Sequence, residues 1–355
     1  MKDTTEQTWK QTQLRSSGVA RWLGVAAAVG TLAVLSACDD PPPTNNPPPP
    51  SSSLKTCEGG DLGPCGTFVT SSGERLQLGP YGAVMEPNVG QGFKNAVSLL
   101  DGDLGCGLFA AIFAQDAETT ANLLNIGDLD LSLYTVYRPA NWRAGERYPV
   151  ITWGNGTCAQ PEGYGALLRY VASHGFIVVA PNSRYVGNGS PPPMRRALDF
   201  MFAANQDASS PYFGKVDTSR VGAMGHSQGG MATAQAAGDA RVKSVILFNG
   251  GASASKPYLA ISGDRDLFTA NAAGLAGPVN RAPKAAYIFY HKVPQTGAFD
   301  GHLTLMTQPG RVVDATVQWW KLTLNNDAAA RDWFVGANCK LCNQASDFEF
   351  GQKGL

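Results

Sequence analysis

From about residue 130 onward, short β-rich apolar runs alternate with longer runs of helical periodicity. The short runs predict seven strands, at 133–137, 150–153, 176–180, 221–224, 245–248, 258–261 and 286–290. Helices are predicted between them, near 163–173, 193–204, 228–238, 267–274 and 311–323. Several strands are continuously apolar, as buried parallel strands are. Because strands and helices alternate, we expect α/β architecture, with a mainly parallel central sheet and helices on both faces.

The N-terminal segment has the features of an export signal. Lys10, Arg15 and Arg21 precede the uncharged stretch "WLGVAAAVGTLAVLSAC". Its apolar part is about 16 residues long and ends in small residues, whereas a membrane-spanning helix needs about 20. We therefore expect residues 1–37 to be a signal peptide, with an uncleaved anchor as an alternative. The letters "LSAC" match a bacterial lipobox, which predicts lipidation of Cys38 and anchoring to the cell envelope; ordinary secretion is the other alternative.

A proline-rich segment, "DDPPPTNNPPPPSSS", follows directly. Proline at this density excludes helices and central strands and favours an extended polyproline spacer. Residues 38–54 are therefore expected to be a linker that holds a globular domain away from a membrane surface. No second linker is visible, so residues 55–355 are expected to form one domain of roughly 300 residues. Within it, "GPYGAVMEPN" suggests a strand region and "LDGDLGCGLFAAIF" a packed helix or loop.

Six of the seven cysteines remain after the lipidation site. An even number in an exported protein favours disulfides, although many pairings are open. Local spacing favours the first two of the following pairs and leaves the third: Cys57 with Cys65, Cys339 with Cys342, and Cys106 with Cys158. A zinc site at "CKLC" is the alternative, but no second pair of ligands has metal-binding spacing, so we expect no metal.

The charge balance narrows the range of partners. Lys and Arg together number 28, and Asp and Glu together number 28, so the formal net charge is zero. Binding to a phosphate backbone needs a basic patch or stripe, and the chain has none. We therefore expect no nucleic-acid partner.

The stretch "AMGHSQGGMA" contains the pattern G-x-S-x-G around Ser227. It lies between an apolar run and a helix-forming run, and a serine on such a strand-to-helix turn exposes its hydroxyl at the carboxyl end of a sheet. The helix that begins near Gln228 directs N–H groups and its positive dipole end at the same place. Ser227 is therefore the candidate nucleophile. The alternative is a chance tight turn in a chain with 41 glycines.

A serine nucleophile needs a base, and the chain has only four histidines. His302 is preferred because it lies in a predicted glycine-flanked loop after the last strand, from which its imidazole can reach the serine. His291, at the end of that strand, is the second choice. His226 is expected to be a packing or turn residue, since neighbouring side chains on an elbow diverge. His174 precedes a strand and is expected at the opposite end of the sheet.

The base in turn needs a carboxylate to orient it. Asp264 and Asp266 follow a buried strand in "PYLAISGDRDLF", and Asp266 is preferred because it lies deeper in the loop and opens the next predicted helix. Asp264 is the alternative acid and otherwise a turn residue or an ion-pair partner. Asp300, in an Asp-Gly pair, is expected to be a turn residue. The order Ser227, Asp266, His302 is the one found in α/β-hydrolases.

Acyl transfer also needs donors for a developing oxyanion. One predicted donor is the backbone N–H of Gln228, directly after the nucleophile. The loop "GNGTCAQPEGY" follows an earlier strand and supplies the other donor, from the backbone of Thr157 or Cys158. A plain βα turn is the alternative interpretation of that loop.

These segments resemble the α/β-hydrolases of the dienelactone hydrolase, cutinase and polyester hydrolase group. The similarity covers about residues 130–305 and is carried by the loop before Tyr164, by "ASHGF" and by the elbow. It implies an α/β-hydrolase fold and hydrolysis of carboxylic esters without a cofactor. The nucleophile, acid, base and two oxyanion donors that it implies are Ser227, Asp266, His302, Thr157 and Gln228.

The chain departs from the polyester-active cutinases at two places. Those proteins carry an aromatic residue in the first oxyanion loop and a tryptophan between the elbow and the acid. Here the corresponding letters are "GT", at 156–157, and "FNGGASASKPY". The aromatic clamp for a polymer chain is therefore not expected at these positions.

Together these features predict that residues 55–355 are the catalytic domain of an exported serine esterase that forms an acyl-enzyme. The expected partners are a small or polymeric ester and, through Cys38, a membrane; a monomer is expected. Tyr164, Tyr185 and Phe268 are candidate pocket residues, and Trp320 is expected to face the core. Two alternatives remain: an acyltransferase or peptidase with the same triad, and a non-catalytic surface binding protein on a hydrolase scaffold.

Overall fold

The computed structural model describes residues 66–69, 73–90, 133–184, 186, 192–266, 269, 271–292, 300–343 and 347–355. All of them belong to one compact unit, Ser53–Leu355. The predicted signal peptide, lipidation site and linker lie outside the described residues, as do "LDGDLGCGLFAAIF", Cys57, Cys65, Cys106, Tyr185 and Phe268. No helix within the described ranges is long and apolar enough to cross a membrane.

Within the described residues, nine strands form the central sheet, and they include all seven predicted ones. A separate antiparallel hairpin pairs β1, Thr67–Val69, with β2, Arg75–Gln77. The strands of the central sheet are β3 Ala83–Val89, β4 Tyr134–Pro139, β5 Tyr148–Gly154, β6 Ile177–Pro181, β7 Val216–His226, β8 Val242–Phe248, β9 Tyr258–Gly263, β10 Ala285–Tyr290 and β11 Phe348–Lys353.

The central sheet is mainly parallel, as predicted. Its strands lie in the order β11-β10-β9-β8-β7-β5-β6-β4-β3. The run from β10 to β6 pairs in parallel throughout, whereas β11, β4 and β3 pair antiparallel with their neighbours at the two edges. The carboxyl ends of the six parallel strands therefore meet at one edge of the sheet, where α/β folds place their ligands.

Helices and short 3₁₀ turns connect these strands. The helices are α1 Gly165–Ser173, α2 Pro192–Ala204, α3 Gln228–Ala236, α4 Ala273–Arg281, α5 Asp300–Thr307, α6 Val313–Leu324 and α7 Ala328–Arg331. The helix predicted at 267–274 is misplaced: the described residues 269, 271 and 272 are not helical, and α4 runs from Ala273 to Arg281. Pro278 and two glycines inside α4 weaken its helical pattern, which explains the error.

Two apolar layers cover the sheet. Helices α1 and α6 pack on one face, and α2, α3 and α4 pack on the other. Along β5, the side chains of Tyr148 and Val150 join one layer and those of Ile151 and Trp153 the other, as strand alternation requires. Trp320 is fully buried on α6, which confirms the prediction that it faces the core.

One predicted disulfide is confirmed. Cys339 and Cys342 are bonded, with a Cα–Cα distance of 5.3 Å, in the segment before β11. Cys158 is also disulfide-bonded, to a cysteine outside the described residues, so the pairing with Cys106 stays a prediction. In the described part of the chain, no cluster of three or more His, Cys, Asp or Glu side chains is arranged to hold a metal ion.

Candidate active site

Ser227 occupies a strained turn between β7 and α3. Its φ of 55° and ψ of −119° are in a region that non-glycine residues rarely adopt, and such a residue costs of order 1–3 kcal/mol. Hydrogen bonds hold the turn in place: the Ser227 N–H donates to Phe248 O at 2.9 Å, and the Met231 N–H donates to Ser227 O at 3.1 Å. The surrounding sheet and helix thus enforce the conformation that the G-x-S-x-G pattern predicts.

The second glycine of that pattern allows the elbow to sit directly on the end of β5. A Cβ atom on Gly229 would lie 2.1 Å from the carbonyl oxygen of Gly154, a separation that no side chain tolerates. Only glycine fits there. This close approach brings the elbow against the strand that leads into the predicted oxyanion loop.

His302 brings its imidazole to the serine. Its Nε2 lies 2.9 Å from Ser227 Oγ, and its Nδ1 lies 2.7 Å from Asp266 Oδ1. Since a carboxylate only accepts, Nδ1 carries the proton, and Nε2 is left to accept from the serine. The side chain of His302 is 9% exposed and that of Asp266 is fully buried.

The structure places His302 in a helix, so its predicted loop position is wrong. It lies in the first turn of α5, which Asp300 begins, so the expectation of an Asp-Gly turn at Asp300 is also wrong. Glycine next to aspartate made the segment look like a turn. The helix packs Leu305 and Met306 into the core, and this burial outweighs the weak local propensity.

Further donors hold Asp266. Its Oδ2 accepts hydrogen bonds from Ser262 Oγ and, at 3.3 Å, from Asn249 Nδ2. Asn249 also donates to Gly301 O at 2.9 Å, next to His302 in the chain. The sequence analysis missed Ser262 and Asn249. Both are polar residues at the end of a buried strand, on the edge of the sheet that carries the acid. This position in the sequence could have identified them as candidates.

The alternative base and acid lie together in a separate cluster. Asp264 Oδ1 is 3.4 Å from His291 Nδ1, and its Oδ2 accepts from the Lys292 N–H at 2.9 Å. His291 Nε2 lies 3.1 Å from a carboxylate oxygen of Glu349 on β11. His174 lies between α1 and β6, where the parallel strands begin, as expected. Neither histidine has a hydrogen bond to Ser227 in the described structure.

The loop after β5 approaches the elbow from the other side. Thr157 Oγ1 donates to Gln228 Oε1 at 3.3 Å, so the two predicted oxyanion donors are neighbours. The Cys158 N–H already donates to Arg184 O at 2.8 Å. Among the described residues, no acceptor faces the backbone N–H of Thr157 or that of Gln228. These two groups can therefore donate to a ligand, whereas the alternative donor, Cys158, cannot without breaking a bond.

Asn155 fixes the path of this loop. It is fully buried, and its Nδ2 donates to Pro181 O at 2.8 Å and to Ser183 O at 3.0 Å. Its Oδ1 accepts from Trp153 Nε1 at 2.8 Å. The two bonds from Nδ2 hold the start of the loop to the end of β6, and the bond from Trp153 fixes the orientation of the Asn155 amide.

A mainly parallel sheet with a strained serine on a strand-to-helix elbow defines an α/β-hydrolase. Residues 134–348 match the family model for PET hydrolase-like proteins, the PETase family. The match spans more than half of the chain, and the chain belongs to this family; it is an ester hydrolase of the α/β-hydrolase type. The predicted family resemblance and fold are thus confirmed. No curated protein shows significant similarity to the chain.

The buried histidine beside the serine predicts that stability depends on pH. Burial and then the nearby His302 imidazole lower the pKa of His226 from 6.5 to about 3. The unfolded chain takes up this proton below about pH 6.5, but the folded protein does not until about pH 3. Stability therefore falls as the pH drops through this window, by about 1.4 kcal/mol per pH unit.

We expect urea unfolding to show this loss. Between about pH 7 and about pH 4, the wild type should lose about 3 kcal/mol more unfolding free energy than His226→Gln, which cannot take up the proton. Tryptophan fluorescence reports the transition. Parallel pH dependences in the two proteins would contradict the expectation.

Proposed function

We propose that the protein hydrolyses carboxylic esters through a triad of Ser227, His302 and Asp266 and an acyl-enzyme. The observation that carries this proposal is the continuous hydrogen-bond line from Ser227 Oγ through both nitrogens of His302 to Asp266, with distances of 2.9 and 2.7 Å. In the first step, Ser227 Oγ attacks the ester carbonyl while His302 Nε2 takes the serine proton. Asp266 keeps the imidazole in the required tautomer and stabilises the imidazolium.

The negative charge develops on the carbonyl oxygen next to two donors without acceptors. The backbone N–H groups of Thr157 and Gln228 would bind this oxygen, and the N-terminus of α3 adds its positive dipole end. His302 then gives its proton to the alkoxide that leaves. In the second half, His302 activates a water that attacks the acyl-enzyme, and the acid is released.

The side chains of the two proposed oxyanion donors support small, soluble esters as substrates. In the elbow and in the segment 154–160, Thr157 and Gln228 are only partly buried, while the residues around them are buried. Their side chains are polar and bonded to each other, so at these two positions a substrate would meet a hydroxyl and an amide. We place these substrates outside the cytoplasm because the sequence predicts an export signal in residues 1–37.

A fluorophosphonate probe and an ester panel test the proposal. We expect a covalent adduct on the peptide that contains Ser227, and hydrolysis of soluble p-nitrophenyl esters that is faster than hydrolysis of a PET film. The panel should include amide substrates and added alcohols, which would reveal a peptidase or an acyltransferase. Absence of an adduct would overturn the proposed mechanism and favour a binding protein, whereas an adduct on another residue would overturn the role of Ser227.

A further inference from the structure

His226 is a buried polar side chain that the proposed reaction does not use. It is 2% exposed, and its ring lies between those of Tyr164 and His302, with centroid distances of 5.5 and 4.8 Å. Trp153 extends this row of rings, 4.7 Å from Tyr164. A buried imidazole needs a partner for each nitrogen, and the two partners of His226 belong to different parts of the site.

These partners form a directed chain of hydrogen bonds. His226 Nε2 lies 2.7 Å from the backbone oxygen of His302, which only accepts, so Nε2 carries the proton. Nδ1 is therefore an acceptor, and Tyr164 Oη donates to it at 2.9 Å. The same Tyr164 oxygen accepts from the Gly156 N–H at 3.0 Å. The chain thus runs from the backbone before Thr157 to the backbone of the base.

Burial keeps this chain in one protonation arrangement. It lowers the pKa of His226 to about 3 and raises the pKa of Tyr164 far above its usual range. Neither group changes charge near neutral pH. The loop backbone at Gly156 also packs closely against His226 and Ser227. A Cβ atom on Gly156 would lie 2.8 Å from His226 Nδ1 and 3.4 Å from Ser227 Cβ.

We infer, on the basis of the proposed function, that Tyr164 and His226 are positioning residues that fix the oxyanion loop and His302 relative to each other across Ser227. The hydrogen bonds of the triad fix the position of the base relative to the nucleophile, and those of Asn155 fix the position of the loop relative to β6. The hydrogen bonds of Tyr164 and His226 connect the loop backbone to the backbone of the base without passing through the nucleophile. Shifts of about 1 Å in such a geometry cost up to about 100-fold in rate.

Three substitutions test separately the hydrogen bonds of the Tyr164 hydroxyl and the hydrogen bond from His226 to the backbone of His302. Tyr164→Phe removes only the hydroxyl. His226→Asn keeps an acceptor near the Nδ1 position but has no donor near His302 O, whereas His226→Gln keeps that donor. We expect kcat to fall about 10- to 100-fold in Tyr164→Phe and His226→Asn, with KM nearly unchanged, and we expect His226→Gln to retain more kcat than His226→Asn.

Tyr137→Phe is the matched control. Tyr137 is fully buried, and its hydroxyl donates at 3.0 Å to the backbone of Pro161, in the same 3₁₀ turn as Tyr164, without contacting His226. It should lower the melting temperature as Tyr164→Phe does but leave kcat unchanged. An alkyl boronic acid forms an adduct with the serine that uses the oxyanion donors. Its inhibition should weaken in parallel with kcat/KM in Tyr164→Phe and His226→Asn, but not in Tyr137→Phe.

The outcomes separate this inference from the proposed function. If Tyr164→Phe and His226→Asn keep wild-type kcat, or if Tyr137→Phe loses as much kcat as Tyr164→Phe, the positioning role is overturned while the triad stands. If Ser227→Ala remains active in the same assay, the proposed function fails and the inference fails with it. Loss of kcat in Tyr164→Phe and His226→Asn but not in Tyr137→Phe, with boronate affinity lost in parallel, supports both the positioning role and the proposed function.

Discussion

Ser227→Ala is expected to lower kcat for a short-chain p-nitrophenyl ester about 10⁵- to 10⁶-fold. The reason is that Oγ is the atom that His302 Nε2 faces at 2.9 Å, and alanine leaves the imidazole without a nucleophile to activate. The backbone donors at Thr157 and Gln228 remain, so some residual hydrolysis above the rate in water persists. The fold should persist as well, because alanine fits the space and the strained φ is imposed by the same surroundings.

Ser219→Ala is the matched control, since Ser219 lies on the same strand, β7, and is exposed at its other end. It should keep wild-type kcat. Circular dichroism and the melting temperature show whether both variants are folded, and the ester assay gives kcat. A folded Ser227→Ala protein with wild-type turnover would contradict the role of Ser227.

The central strands could be predicted because both of their faces are covered. Every residue of β5, β6 and β9 is buried, so no charged position interrupts their mainly apolar runs. The edge strand β11, with the letters "FEFGQK", has mostly exposed or half-buried positions. Its pairing with β10 is made by the backbone, and a backbone ladder leaves no apolar signal in the sequence.

The three proposed triad residues could also be identified, because each follows the carboxyl end of a parallel strand and the chain order is restrictive. The residues that support them are a different case. Tyr164 and His226 are 62 positions apart in the sequence, and Asn249 and Asp266 are 17 apart. Contacts of this kind arise from the positions of neighbouring elements. The sequence can show that Asn249 follows a buried strand, but local patterns do not show that its side chain reaches Asp266.

Asp266→Asn is expected to lower kcat about 10⁴-fold, through the tautomer of His302. At the Oδ2 position, the Asn249 amide donates a hydrogen bond and Ser262 Oγ lies nearby, so an asparagine would place its oxygen there. Its NH₂ would then face His302 Nδ1, which must become the acceptor. The imidazole proton moves to Nε2, and that nitrogen can no longer take the proton of Ser227.

Asp264→Asn separates this effect from a general loss of charge in the same loop. Asp264 lies two positions away, but its carboxylate faces His291 and the Lys292 N–H rather than His302, so kcat should stay near the wild-type value. The comparison uses kcat and the melting temperature of both variants. A large loss in Asp264→Asn together with little loss in Asp266→Asn would exchange the two roles. Equal small losses would show that His302 keeps its tautomer without a carboxylate, and this would contradict the prediction. The donors around Asp266 make such an arrangement unfavourable.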